Sequence, residues 1–216
     1  MKAVVFDMDG LMFDTEKVFV MAWDYVGEQM GIGKAGYMSL KTLGLNVEKS
    51  EQVLKEEFGD KYDRVTMRKL TKEFLTKYYS ENRVPVKKGL YILLDYLKSQ
   101  GYKLAVASSS PKWEVEEHMK DAGVFDYFQA IVCGDMVNKS KPEPDIYLTA
   151  CEALQVNPEE CYVLEDSRNG LLSAHRAGCK VIMVPDLWQP DEEIEGILFG
   201  KCSDLEEVKD FLEKQK

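Results

Sequence analysis

Apolar positions along this chain fall into two regimes. From about residue 85 onward, short unbroken apolar runs alternate with longer stretches in which apolar residues recur every three to four positions. Lys103-Leu-Ala-Val-Ala107, Ala130-Ile-Val-Cys133, Cys161-Tyr-Val-Leu164 and Val181-Ile-Met-Val184 read as strands buried on both faces. The run Lys2-Ala-Val-Val-Phe6 at the start is a fifth of the same kind. Helices are predicted between them. Leu90, Leu93, Leu94 and Leu97 have helical spacing ahead of Gly101, and Ser108-Ser109-Ser110-Pro111 opens another helix. Further helices are expected from Pro142 to Leu154, from Ser167 to Ala177 with Gly178 as the stop, and from about Asp204 to the end. Repeated strand–helix units imply a parallel sheet with helices on both faces. Residues 15–82 are different. Val18, Met21, Ala22, Tyr25 and Val26, and later Phe58, Leu70, Phe74 and Leu75, recur at helical intervals with few strand signals. The pattern predicts a core of residues 1–14 and 83–216, with a helical insert over 15–82 after the first strand. Asp14-Thr15 and Val84-Pro85 are the hinge candidates.

Polar residues gather where the predicted strands end. The first strand stops on Asp7-Met8-Asp9-Gly10, the second on Ser108-Ser109, and the fourth on Glu165-Asp166; Lys141 lies in the loop after the third. Buried acids without partners are costly, but the carboxyl ends of strands in an open α/β sheet are where ligands bind. Taken singly, these residues read as a helix cap, a loop lysine and surface acids. Four such positions at strand ends of one sheet are hard to reconcile with coincidence.

These residues carry a resemblance. Phe6-Asp7-Met8-Asp9-Gly10-Leu11 with Asp14-Thr15, Ala107-Ser108-Ser109, Ser140-Lys141-Pro142-Glu143-Pro144-Asp145, and Leu164-Glu165-Asp166-Ser167 with Gly170 resemble, in order, the four motifs of the haloacid dehalogenase-like superfamily. The nearest likeness is to its β-phosphoglucomutase-like phosphatases. The resemblance spans the whole core and implies an α/β fold, a Rossmann-like parallel sheet core flanked by helices, with the insert as a small helical-bundle cap. It assigns Asp7 as the nucleophile toward phosphorus and Asp9 as the acid and base for leaving group and water. Ser108 and Ser109 would bind phosphoryl oxygens, and Lys141 would neutralise the charge shared with Asp7. Asp7 and Asp166 would ligate a metal through side chains and Asp9 through its carbonyl, with Glu165 acting through water or a supporting hydrogen bond. Hard oxygen ligands and phosphate chemistry together point to Mg²⁺. A cluster of acids would also repel itself without a cation.

The same likeness frames the reaction. Asp9 and Asp166 argue for phosphoryl transfer over dehalogenation. A phosphosugar mutase of this type uses a His, an Arg and a Lys of the cap; here Phe19, Val47 and Leu43 occupy those places, so the expected activity is hydrolysis of a small phosphate monoester. A mutase is the alternative, followed by phosphonate hydrolysis through Lys41 and a non-catalytic member. Thr15, Phe19, Trp23, Lys41 and Asn46 are candidates for contact with the substrate, and the insert is expected to close over the site.

Composition adds exclusions. The net charge of −10 argues against general nucleic-acid binding. No run approaches the roughly 18 apolar residues of a membrane span, and the first residues lack a signal-type pattern, so a cytoplasmic monomer acting on a small phosphorylated metabolite is expected. Five cysteines without a C-x-x-C pair favour reduced, buried thiols. The two histidines, His118 and His175, are expected at partly exposed helix positions.

Overall fold

The computed structural model describes residues 2–42 and 47–215. The chain divides into two compact units, one of residues 1–13 with 85–216 and one of residues 14–84.

The larger unit is built on a six-stranded sheet: β1 (Ala3–Phe6), β2 (Lys103–Ser108), β3 (Ala130–Cys133), β4 (Cys161–Glu165), β5 (Lys180–Met183) and β6 (Gly200–Lys201). The order is β3-β2-β1-β4-β5-β6 and every pairing is parallel. The chain therefore works outward from β1 on one side, then crosses to the other. β1 is fully buried along its length, as a central strand covered on both faces must be. Helices α5 (Leu90–Ser99), α6 (Lys112–Asp121), α7 (Asp145–Leu154), α8 (Arg168–Arg176), α9 (Glu192–Glu195) and α10 (Leu205–Glu213) belong to this unit. Several start on side-chain caps. Ser167 accepts from the Gly170 N–H at the head of α8, Asp191 from Ile194 at α9, and Asp204 from Glu207 at α10. The main apolar cluster fills the space between sheet and helices, with Val5, Ala105, Val163 and Val181 from strands meeting Tyr147, Leu154 and Leu171 from helices.

Three details differ from the sequence expectation. The helix expected from Pro142 begins only at Asp145, after Pro144; the residue before a proline is pushed out of the α region, which keeps Glu143 outside the helix. β6 is only two residues long, Gly-Lys, too short to leave a hydropathy signature. His118 is buried, not partly exposed; it stands edge-on to Phe13 with ring centroids 6.1 Å apart. Burial holds its imidazole below the usual histidine range despite the nearby Asp9 charge. His175 is exposed.

The smaller unit is helical: α1 (Thr15–Gln29), α2 (Met38–Thr42), α3 (Val47–Phe58) and α4 (Arg64–Glu81). Val26, Ala35, Met38, Leu54, Phe58 and Met67 make its core. Asp63 caps α4, accepting from the Val65 and Thr66 N–H groups.

Candidate active site

The site is built by register. Phe6 pairs with Val106 on one side and Leu164 on the other. The next residue of each strand is therefore level, and Asp7, Ala107 and Glu165 stand side by side at the carboxyl end of the sheet. The Asp7 N–H still donates to the Leu164 carbonyl, 3.0 Å away. Past Asp7 the backbone curls: Met12 and Phe13 both donate to the Met8 carbonyl, and Gly10 donates to Phe13. Gly10 sits at φ +81°, and a Cβ there would press on the Asp166 carboxylate. Glycine meets both demands, the backbone angle and the close approach.

Lys141 ties the strand ends together. Its Nζ lies 2.5 Å from Asp7 Oδ1 and 2.7 Å from Glu165 Oε1, and donates to the Ala107 carbonyl at 3.2 Å. The lysine side chain is 7% exposed and that of Glu165 not at all. Glu165 is heavily supported. Oε1 also accepts from the Tyr147 hydroxyl at 2.7 Å, and Oε2 accepts from the Asp166 N–H, the Ser167 N–H and the Ser167 hydroxyl, each at 3.0 Å. The Lys141 ammonium also stands 5.0 Å from the centre of the Tyr147 ring. Gly170 completes the nest, because a Cβ there would overlap the Glu165 carboxylate. Asp9 is held from another side: its Oδ2 accepts from Ser110 Oγ at 2.9 Å and Ser108 Oγ at 3.3 Å. Ser108 Oγ in turn accepts from the Ser110 N–H at 3.0 Å. Ser109 is exposed, and its backbone packs against Gly134.

Burial and charge oppose each other here. Burial pushes the Asp7 carboxyl up to about 8, even against the pull of Lys141. Burial, then the charges of Glu165, Asp7 and Asp186, hold Asp166 well above the carboxylate range. Burial acts on Glu165 in the same direction, but Lys141 and the hydrogen bonds from Ser167 and Tyr147 overcome it and hold this carboxyl low. For Lys141, burial is more than offset by its two acidic partners, so the ammonium stays charged. The centre thus carries more acid than its lysine can balance. Asp7, Glu165 and Asp166 each offer an oxygen within 4.8 Å of the others. Three hard oxygen donors, two of them carboxyls that a cation would help ionise, fit a divalent cation such as Mg²⁺.

The structure brings Asp7, Asp9, Ser108, Lys141, Glu165 and Asp166 to one end of the sheet. It adds two residues that the motif reading passed over. Ser110 reads in sequence as part of a helix cap, and Tyr147 as one more apolar position of α7. In the helical unit, Thr15, Phe19 and Trp23 recur every four residues along α1, and Trp23 packs on that unit's own core. Lys41 is engaged by Glu57 at 2.8 Å and lies over the Tyr37 ring. This pairing raises the Lys41 pKa, which opposes the neutral amine that Schiff-base chemistry needs. Asn46 and Leu43 lie outside the described residues, as does the side chain of Val47.

An α/β protein with an acid-and-lysine centre at the carboxyl ends of parallel strands is the class that this fold and geometry define. Comparison with known proteins is specific: residues 4–184 match the haloacid dehalogenase-like hydrolases, and the chain belongs to that family. The phosphorylated carbohydrates phosphatase of Thermotoga maritima is 34% identical over 182 residues, covering 84% of each chain. The β-phosphoglucomutase of Bacillus subtilis is 31% identical over 187 residues, covering 82% of this chain and 80% of its own. Among solved structures, CbbY from Rhodobacter sphaeroides in complex with phosphate superposes with a TM-score of 0.77 at 28% identity, covering 96% of each chain. The chain is a hydrolase of this family, and its relatives include named phosphatases. Among the described residues no helix is long and apolar enough to cross a membrane.

Proposed function

We propose that this protein is a Mg²⁺-dependent phosphatase acting on a small phosphate monoester, a sugar phosphate or similar metabolite, through an aspartyl-phosphate on Asp7. The observation that carries the reading is the Lys141 ammonium bridging Asp7 and Glu165 beside Asp166, with Asp9 held separately by two serine hydroxyls. One carboxylate is set against a cation, and another is anchored by serine hydroxyls for proton transfer. Two carboxylates in distinct environments at one site suit a nucleophile and an acid–base pair.

The chemistry follows from those contacts. An Asp7 oxygen attacks phosphorus and the bond from phosphorus to the leaving oxygen breaks; Asp9 gives that oxygen its proton. In the second half-reaction Asp9 takes a proton from water, the water oxygen attacks the same phosphorus, and the bond to Asp7 breaks to release inorganic phosphate. Lys141 stabilises the charge that spreads over the transferring group, the dominant form of catalysis in phosphoryl transfer. Ser108 orients Asp9, and the backbone N–H of Ser109 binds a phosphoryl oxygen. Asp7, Asp166 and the Asp9 carbonyl would hold Mg²⁺, supported by Glu165. When bound, the cation neutralises phosphoryl charge and makes phosphorus electrophilic.

The 31% identity to a β-phosphoglucomutase favours mutase activity as the second reading. Phe19 in place of a polar residue on α1 argues for hydrolysis. One experiment separates them. Phosphate release is measured against sugar phosphates, polyol phosphates, nucleotides and phosphonates, with Mg²⁺ or EDTA. The same panel includes β-glucose 1-phosphate plus a trace of glucose 1,6-bisphosphate, coupled to detection of glucose 6-phosphate. Mg²⁺-dependent release that Asp7→Asn abolishes supports the proposal. Glucose 6-phosphate without net phosphate release establishes the mutase instead. Release that survives Asp7→Asn overturns the aspartyl-phosphate route.

A further inference from the structure

Three of the five cysteines meet at the opposite end of the sheet from the acids. Cys151 lies in the second half of α7, Cys161 opens β4, and Cys179 precedes β5. Far apart in sequence, their sulfurs all come within 4.8 Å of one another, and Cys151 and Cys179 are 3.9 Å apart. All three are free thiols, 2%, 0% and 8% exposed, set in the apolar cluster with Ala3, Leu154 and Ala174. Three sulfurs bound to one ion at about 2.3 Å in a trigonal plane stand about 4.0 Å apart. The Cys151–Cys179 pair stands at this spacing and Cys161 lies within 4.8 Å of both, so an ion could bind with side-chain adjustment alone.

From this geometry we infer a second metal site, a three-thiol pocket for Cu(I). Soft sulfur ligands select soft cations, and Cu(I) is the one among biological first-row ions that thiolates favour most on this ground. Structural zinc sites close with four ligands, whereas the mutually close donors here number three among the described residues. Mg²⁺, which needs oxygen donors, is excluded by the same chemistry. At least one thiol proton leaves to solvent when Cu(I) binds, so that the ion's charge is balanced in apolar surroundings. The way in is short. Cys179 is the outermost of the three and follows Gly178, whose outer side is open apart from Pro158 Cβ at 3.8 Å. β4 runs five residues from Cys161 to Glu165, four steps or about 13 Å of strand. The pocket and the catalytic end are thus separate, and this inference does not rest on the phosphatase reading.

The test uses the full chain, reduced and free of oxygen, titrated with Cu(I) from a chromophoric chelator. One equivalent of copper withheld from the chelator, with a thiolate-to-copper absorption band in the ultraviolet, is the expected result. Losing only a contact that supports a ligand weakens metal sites by about 10–100-fold, so Cys161→Ala is expected to weaken binding by more than that. Cys179→Ser, nearer the surface, provides the same test if Cys161→Ala does not fold, with circular dichroism reporting the fold of each. Cys202→Ala, a buried thiol outside the cluster, is expected to bind as the parent does. No copper retained by the folded parent overturns the inference, as does retention unchanged in Cys161→Ala and Cys179→Ser. Tighter retention of Zn²⁺ than of Cu(I) overturns the choice of ion.

Discussion

Replacing Lys141 by Met keeps most of the side chain's length and removes its charge. Two ion pairs are lost, at 2.5 Å to Asp7 and 2.7 Å to Glu165, both in a buried setting, together with the hydrogen bond to the Ala107 carbonyl. Breaking a buried ion pair from one side costs about 3–5 kcal/mol, because the remaining charge is left without a partner. The structure says how that cost depends on pH. In the metal-free parent, Asp7 is held up to about 8 by burial against an ordinary value of 3.8. Its contribution is therefore complete at low pH and fades as pH rises toward 8. Glu165 behaves oppositely, held low by Lys141 and its hydrogen-bond donors. Without the lysine, burial dominates at Glu165 as well, and on folding the variant retains one more carboxyl proton than the parent does across this range. One extra proton is worth about 1.4 kcal/mol per pH unit, so the stability gap between parent and Lys141→Met is expected to widen by up to about 4 kcal/mol from pH 5 to pH 8. Urea unfolding of both proteins in EDTA, at pH 5, 6.5 and 8, measures it directly. A gap that is constant, or that narrows as pH rises, would refute the assignment of Lys141 as the counter-charge of both acids.

Two more substitutions probe the support of Glu165. Gly170→Ala in a helix would ordinarily stabilise by about 1 kcal/mol. Here the new methyl meets a carboxylate pinned by five donors, and we expect a loss of about 2–4 kcal/mol in urea unfolding; a stabilised variant would contradict the packing. Tyr147→Phe deletes one hydrogen bond to a charged acceptor, with an expected cost of about 1.5–3 kcal/mol. It should also raise the Mg²⁺ concentration for half-maximal phosphate release by about tenfold, as lost support of a metal ligand does elsewhere. Unchanged stability and Mg²⁺ dependence would show that Glu165 does not need the tyrosine.

Much of the site was legible in the chain because it lies at strand ends. An apolar run that stops on an acid marks both the end of a buried strand and the residue that follows it, so Asp7, Ser108, Glu165 and Asp166 were readable from where hydropathy breaks. Parallel pairing then makes neighbouring strand ends level with one another, and local pattern alone comes close to describing the centre. Lys141 was legible only through its motif, since a loop lysine has no hydropathy signature of its own.

What the sequence by itself determined is the alternation that requires a parallel sheet, the helical insertion after β1, and the identity of the acids at the strand ends. Those features depend on residues close together in the chain, where period and composition act directly. Tertiary structure decided the rest. Tyr147 reaches Glu165 only because α7 packs across β1, β2 and β3 of the sheet; in sequence it is one more residue on an apolar helix face. His118 became buried because Phe13 lies against it, which the amphipathic pattern of α6 could not foretell. The strand order, with β1 between β2 and β4, put Asp7 between Ala107 and Glu165 and within reach of Lys141 from a distant loop. Three cysteines that look scattered along the chain converge for the same reason: contacts across the core are set by how helices and strands stack, and residues that meet in this way carry no mark of it in their own neighbourhoods.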